Sequence, residues 1–425
     1  MNKYLSLYHA KYAQKIHTDK EMMNLYQTRF NSPATVQTNL YPLLTSKKNG
    51  NQTSNYPIFY IYLKEIVTLA SRLRENSKKI VEISQNLPHL AKERFQDSLL
   101  LSEITYTNQI EGIDTNEAEI STIIRAESSK VKKDTKQRLK STVRLYQAAQ
   151  KGQTQKTNSL EDFRTIYDLL LEGEIPAEKM PNGKLFRDVL PNNDFLRIDS
   201  STQTVHIPPK SEAEISRALS SLIIWMNDTN NPPIFKALVT HFFFENTHPF
   251  IDGMGRYLLS TYLSKHYDHY TGLSVSTAIH SQVSTYYKLF KEADQSENFA
   301  ELTFFIKGML ELLINQQESD IRHLLEDQEM LDNAQKSIES KLSVFKKEED
   351  KQAASILLNL LAQSQLFSKN TELGIKDNEL IKLATKSNPK VSIRYSKQIL
   401  KELENNGLII KISGRPKQHL IEFLQ

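Results

Sequence analysis

The sequence predicts a mainly α protein: a helical core interrupted by a small β-hairpin, followed by a small α+β domain in which three helices precede a second hairpin. Three observations predict it. Gly (12) and Pro (14) are scarce for 425 residues; long stretches space apolar residues three and four apart among Lys, Glu and Gln; and the C-terminal end closes on two β-rich runs around a basic turn. One core seldom keeps growing at this length, so two or three domains are expected.

Composition narrows the function classes. Apolar residues make up 39% and charged residues 24%, with Lys+Arg 54 against Asp+Glu 50, the make-up of a chain that folds in water. Cysteine is absent, which excludes disulfides, thiolate zinc, iron-sulfur ligation and a Cys nucleophile. The most apolar stretch, Leu302 to Ile314, is cut by Lys307 and Glu311, too soon to span a bilayer. The N-terminus carries no signal-like pattern, and the expectation is a cytoplasmic protein without membrane partners. From Lys351 to Gln425 there are 12 Lys+Arg against 6 Asp+Glu, so positive charge concentrates at the C-terminal end.

Taken in order, residues 1–57 read as a helical piece and an Asn/Thr/Ser/Pro-rich loose loop (31–57) of unknown role. Residues 58–325 form the main body, with helices predicted at Ile58 to Leu73, Leu139 to Ala149, Ser211 to Met226, Pro232 to Asn246 and Leu302 to Leu325. Three turn groups, Pro181-Asn182-Gly183, Pro191 to Asp194 and Pro208-Pro209, bracket LFRDVL and TVHI, where a small hairpin is expected. Residues 326–350 read as a charged helical linker. Helices at Ala353 to Ala362, Asp377 to Thr385 (with Asp377 as N-cap) and Ser392 to Asn405 then precede a hairpin from Gly407 to Phe423, turning at Ser413 to Lys417.

The order of elements in 351–425 resembles a winged helix-turn-helix domain. That resemblance implies a third helix in the major groove of double-stranded DNA, with Arg394, Tyr395, Lys397, Gln398 and Lys401 as contact candidates and Arg415 and Lys417 at the wing on phosphates. The same basic face also serves protein docking or dimerisation, so a second copy of the chain is a further candidate partner.

The segment with most chemistry is His241-Phe-Phe-Phe-Glu245-Asn-Thr-His248-Pro249-Phe250-Ile251-Asp252-Gly253-Met254-Gly255-Arg256. It closes one helix and opens another through two glycines, so amides gather at a helix N-terminus as an anion cradle. His248 suits a general base, Asp252 a magnesium ligand beside phosphates, and Arg256 a forked phosphate clamp. Singly, each has a structural reading: a His before Pro capping a helix, an Asp-Gly turn, a bare Gly-x-Gly. Together they point to phosphoryl or nucleotidyl transfer.

This segment resembles the Fic family motif HPFx(D/E)GNGRxxR. The resemblance implies a mainly helical core that moves AMP from ATP to a Ser, Thr or Tyr hydroxyl of a protein. His248 would be the base, Asp252 would hold Mg²⁺, and Gly253, Gly255 and Arg256 would bind phosphates. Gly183 to Ile198 and Thr204 to Pro209 are similar to the family's flap, where a target segment docks by strand addition. Thr107-Asn-Gln-Ile-Glu111-Gly112 is similar to the family's inhibitory (S/T)xxxE(G/N) sequence, and helical spacing sets Thr107 and Glu111 on one face. Two positions depart from the pattern: Met254 stands for Asn, and Leu259 for the second Arg, which in the family pairs with the inhibitory Glu. Both losses weaken the grip on ATP. The leading expectation is an autoinhibited protein adenylyltransferase. The alternatives are a degenerate Fic fold acting as nucleotide sensor or transcription regulator, and removal of AMP from protein.

Overall fold

The computed structural model describes all residues except 1–3, 17, 126–136, 156, 172–179, 191–195, 197, 200–203, 251–253 and 425. The chain forms two compact units. The first comprises Met1–Lys78, Glu103–Thr115 and Lys133–Gln317; the second comprises Lys79–Ser102, Asn116–Lys132 and Glu318–Gln425.

The chain opens with α1 (Leu7–Ala13) and α2 (Asp19–Phe30). Helix α2 starts on a capping box in which Thr18 and Glu21 satisfy each other's backbone amides. Strands β1 (Thr35–Gln37), β2 (Leu44–Thr45), β3 (Gln52–Thr53) and β4 (Phe59–Ile61) follow, β1 pairing antiparallel with β4 and β2 with β3. The stretch 31–57 is therefore not the loose loop its composition suggests. Its strands are two or three residues long, too short to display a period-two pattern, and Leu40 before β2 and Leu44 within it are fully buried.

The helix expected from Ile58 begins instead at Lys64, as α3 (Lys64–Asn86). Ile58 to Ile61 is a short apolar run whose periodicity does not separate buried strand from helix, and pairing with β1 decides it. Leu7, Met22, Tyr26, Phe59 and Ile61 form one cluster. The buried Arg29 donates to Glu301 at 2.8 Å beside it.

Next come α4 (His89–Ile110), α5 (Glu117–Arg125), α6 (Gln137–Gln150) and α7 (Leu160–Leu170), the last with a Ser159/Asp162 capping box. The expected hairpin is present as β5 (Ile198–Asp199) and β6 (Thr204–His206). The LFRDVL segment does not supply its strand: the amides of Lys184, Leu185 and Phe186 turn onto the Glu212 carboxylate. Burial pushes that carboxyl up, but the three N–H donors outweigh it and hold it below the usual range.

The central layer of the first unit is α8 (Glu212–Asn227), α9 (Pro233–Thr247) and α10 (Met254–His266), with α9 packed on both neighbours. Helix α9 is buried nearly all round, from Ile234 to Phe244, as its unbroken apolar run requires, and Pro233 at its first turn costs no hydrogen bond. Short helices α11 (His269–Gly272), α12 (Val275–Ser281) and α13 (Val283–Ala293) lead to α14 (Thr303–Lys341).

In the second unit α14 continues to Lys341 through most of the charged segment expected as a linker, burying Leu331, Ala334 and Ile338 along one stripe. Then come α15 (Glu348–Phe367), α16 (Asp377–Ser387), α17 (Ile393–Asn405), β7 (Ile409–Gly414) and β8 (Lys417–Ile421). Helix α15 packs against α16, α17 and β8, and β7 pairs antiparallel with β8. Asp377 is the first helical residue of α16, after Lys376, rather than its N-cap. Its carboxylate instead bonds the buried His419 at 2.9 Å.

Candidate active site

Helix α9 delivers His248 at its C-terminal cap, in the left-handed region (φ 44°, ψ 63°). A non-glycine residue there stores about 1 to 3 kcal/mol of strain, so the surroundings must hold it. Arg187 does so: its Nε donates to the carbonyl of His248 at 2.6 Å, its Nη2 to that of Thr247 at 3.1 Å, and its amide to that of Pro249 at 3.2 Å. Arg187 is buried, and burial pulls its guanidinium down to about 10. Two residues on, Phe250 stacks on Tyr167 at 4.1 Å and meets Phe186 edge-on at 5.5 Å. Asp252 and Gly253, the expected metal and phosphate ligands, lie outside the described residues.

The chain resumes with Met254, Gly255 and Arg256, all buried at the start of α10. A Cβ on Gly255 would overlap the Glu245 carboxylate and force that buried side chain to move. Burial pushes Glu245 up to about 7 and pulls His241 down to about 4, and His241 Nε2 lies 3.0 Å from the Tyr286 hydroxyl. Both groups are therefore largely uncharged in mildly acidic water, and Glu245 begins to ionise near neutrality.

Arg256 is claimed by the last turn of α4. Its Nε donates to Thr107 Oγ1 at 3.0 Å and its Nη2 to Glu111 Oε1. Gly112, at φ +70°, ends that helix in the left-handed region; its amide bonds Gln109 and the Ile113 amide bonds Asn108 at 2.9 Å. Turn and ion pair together fix Glu111, which with Thr107, Tyr146, Tyr167, Met254 and Tyr257 lines a cavity of about 50 Å³.

Residues 157–263 match the Fic/DOC family. The Fic/DOC segment thus spans α7 to most of α10 and contains His241, Glu245, His248, Gly255 and Arg256, whereas Thr107 and Glu111 lie before it. No curated protein matches the sequence. Among solved structures the chain is similar to a Fic family protein from Desulfovibrio desulfuricans G20, at 16% identity over 85% of this chain and 97% of that one, with a TM-score of 0.48. It is also similar to Fic-1 (aa134–508) from C. elegans, at 16% identity over 62% and 73%, with a TM-score of 0.38.

The two departures within the Fic/DOC segment have distinct surroundings. Met254 faces the small cavity with Glu111. Leu259 is buried and, with Gly255, lines a larger cavity of about 540 Å³ that runs along α9 and α10 to Lys236, Lys265 and His266. Among the described residues no Asp or Glu lines it; burial, Lys265 and Lys236 push His266 below its usual value. The resemblance implied that the inhibitory glutamate pairs with the second motif arginine. With leucine at that position, Glu111 takes Arg256.

Sequence reading missed Arg187 and Tyr167, which hold the His248 loop, and Glu212, which holds the turn before Arg187. The available signal was an Arg among apolar residues in LFRDVL, but nothing in that string names its partners 60 residues away. Among the described residues no three His, Asp or Glu converge on a metal position.

In the second unit Arg394, Lys397, Gln398 and Lys401 are exposed on one side of α17, while Ser396, Ile399, Leu400 and Leu403 are buried on the other. Arg415 and Lys417 are exposed at the β7–β8 turn. Gln398 Nε2 donates to Glu402 at 3.0 Å, and Tyr395, counted with the contact candidates, donates to Asp350 at 2.5 Å.

Proposed function

We propose that the chain is a protein adenylyltransferase held off by Glu111. The observation that carries this reading is the pair of bonds from Arg256 to Thr107 and Glu111, two residues of one short sequence meeting the motif arginine. His248 takes the proton of a protein hydroxyl as its oxygen bonds the α-phosphorus of ATP. The bond to pyrophosphate breaks, leaving AMP on the protein. Gly253, Gly255 and Arg256 cradle the phosphates, and the cavity edged by Lys236, Lys265 and His266 has the size and charge for a nucleotide. A magnesium ion would rest on Asp252 and the nucleotide's own phosphates, where it would neutralise phosphate charge. The target segment adds as a strand to the β5–β6 pair.

Glu111→Gly should raise AMP transfer from labelled ATP by about tenfold to a hundredfold, the worth of one charge-assisted bond to Arg256. Transfer equal to the parent's would remove Glu111 from the inhibitory role. Absence of transfer in both proteins, at saturating ATP and with other nucleotides, would favour the second reading, a nucleotide-sensing regulator. That reading draws on Met254 and Leu259, two buried apolar side chains where phosphate ligands are expected.

The exposed cations of α17 and the hairpin support double-stranded DNA as a partner. The full chain should retard duplex DNA at low salt, and Arg415→Ala with Lys417→Ala should flatten the log-affinity against log-salt slope by about 2, one for each phosphate no longer neutralised. If the double variant instead changes self-association and leaves DNA retardation unaltered, the hairpin is a docking element.

A further inference from the structure

Helix α4 passes from one compact unit to the other between Ser102 and Glu103. Its last turn, in the first unit, carries Thr107, and Glu111 follows directly after it. Its earlier turns, in the second unit, carry Arg94, Asp97 and Ser98. Helix α5, also in the second unit, follows Glu111 after a five-residue connection. The inhibitory residues are thus flanked on both sides by segments held within the second unit.

One carboxylate joins those two flanks. Arg94, a fully buried guanidinium on α4, donates through Nη2 to Glu379 Oε1 at 2.7 Å and through Nη1 to Asp97 at 3.1 Å. Arg125, the last residue of α5, donates to the other oxygen of Glu379. Around this bridge the segment after α15 adds further ties. Ser98 Oγ donates to the Phe367 carbonyl at 2.9 Å and accepts from the Lys369 amide at 2.8 Å, Lys369 Nζ meets Glu117 at 2.9 Å, and Asn370 donates to Ser121 at 3.3 Å.

We propose that Glu379 is a positioning residue for Glu111: by bridging Arg94 on α4 to Arg125 on α5 it closes the loop that holds the inhibitory carboxylate on Arg256. This inference rests on the autoinhibited reading above for its effect on activity. Without Glu379 the two guanidiniums would share only Asp97, and the buried Arg94 would lose a charged partner that desolvation makes necessary. The flanks would separate, and the last turn of α4 would open more often. Because Glu379 sits on α16, the C-terminal helices and hairpin gain a physical hold on the inhibitory segment.

The experiment follows hydrogen exchange at the amides of Glu111, Gly112 and Ile113, all bonded within the last turn. In full-length Glu379→Gln these amides should exchange about tenfold faster than in the parent, as expected when one charge-assisted bond ceases to oppose local opening, with α9 unchanged. Glu379→Asp should restore most of the protection. Transfer should rise in Glu379→Gln but gain nothing further in a Glu111→Gly background, since both changes free the same arginine. Unchanged exchange at these amides, or fully additive activation, overturns the proposal. Should Glu379→Gln also loosen α15 and α17, Arg125→Gln removes the α5 end of the same bridge, and unchanged exchange there overturns it equally. If Glu111→Gly proves inactive, the autoinhibited reading falls, and the exchange measurement alone decides the bridge.

Discussion

Alanine in place of His248, introduced into the Glu111→Gly protein, should lower AMP transfer by about 10²- to 10⁴-fold, the usual contribution of a positioned general base. The loop should survive the change. Arg187 binds the carbonyls of residues 247 and 248 rather than the imidazole, and Phe250 is anchored by Tyr167 and Phe186. The left-handed backbone at position 248 disfavours alanine, so His248→Asn, which tolerates that region, serves as the second variant. Both should lose activity while keeping the parent's unfolding midpoint to within a few degrees. Retained transfer in His248→Asn would exclude the imidazole as the base.

The second large effect is on stability. Burial raises the Glu245 carboxyl from its ordinary 4.5 to about 7, so the folded protein holds a proton that the unfolded chain releases above pH 4.5. The contribution is therefore fully present below pH 4.5 and lost as pH rises through about 7. It amounts to about 3 kcal/mol between those limits. Glu103, buried against Ser276 and also raised to about 7 by burial, acts in the same direction. Denaturant unfolding at pH 5 and pH 8 should show the parent losing stability on the alkaline side, and Glu245→Gln losing about 2 to 3 kcal/mol less. Equal losses in the two proteins would mean that Glu245 is already ionised in the folded state.

Much of the helical layer was legible because its apolar periodicity is long. Helices α8 and α9 fall within a residue or two of their predicted limits, and α17 and the β7–β8 pair lie where their caps and turn residues indicated. The short strands were not legible: β1 to β4 hold two or three residues each, and their pairing partners are set by chain reversal. The motif itself carried His241, His248 and Arg256, and Thr107 and Glu111 came from a second short pattern. What no string could supply were the long-range partners. Arg187 acts on carbonyls that any residue would present, and Glu379 is one acidic residue among many until folding brings it to Arg94 and Arg125. The leucine standing at 259 in place of the motif's arginine was visible, but that Glu111 pairs with Arg256 instead was set by the fold.

On the autoinhibited reading proposed above, that pairing makes inhibition a competition for a single cation. Two arginines would allow one to be blocked while the other kept a grip on nucleotide. Here the group that holds Glu111 is the same one proposed for phosphate, so the apparent affinity for nucleotide is the intrinsic one multiplied by the fraction of time Arg256 is released. If the proposed reading holds, the response to nucleotide has a set point written in the strength of one salt bridge, and any change that weakens the bridge should lower the nucleotide concentration needed for transfer.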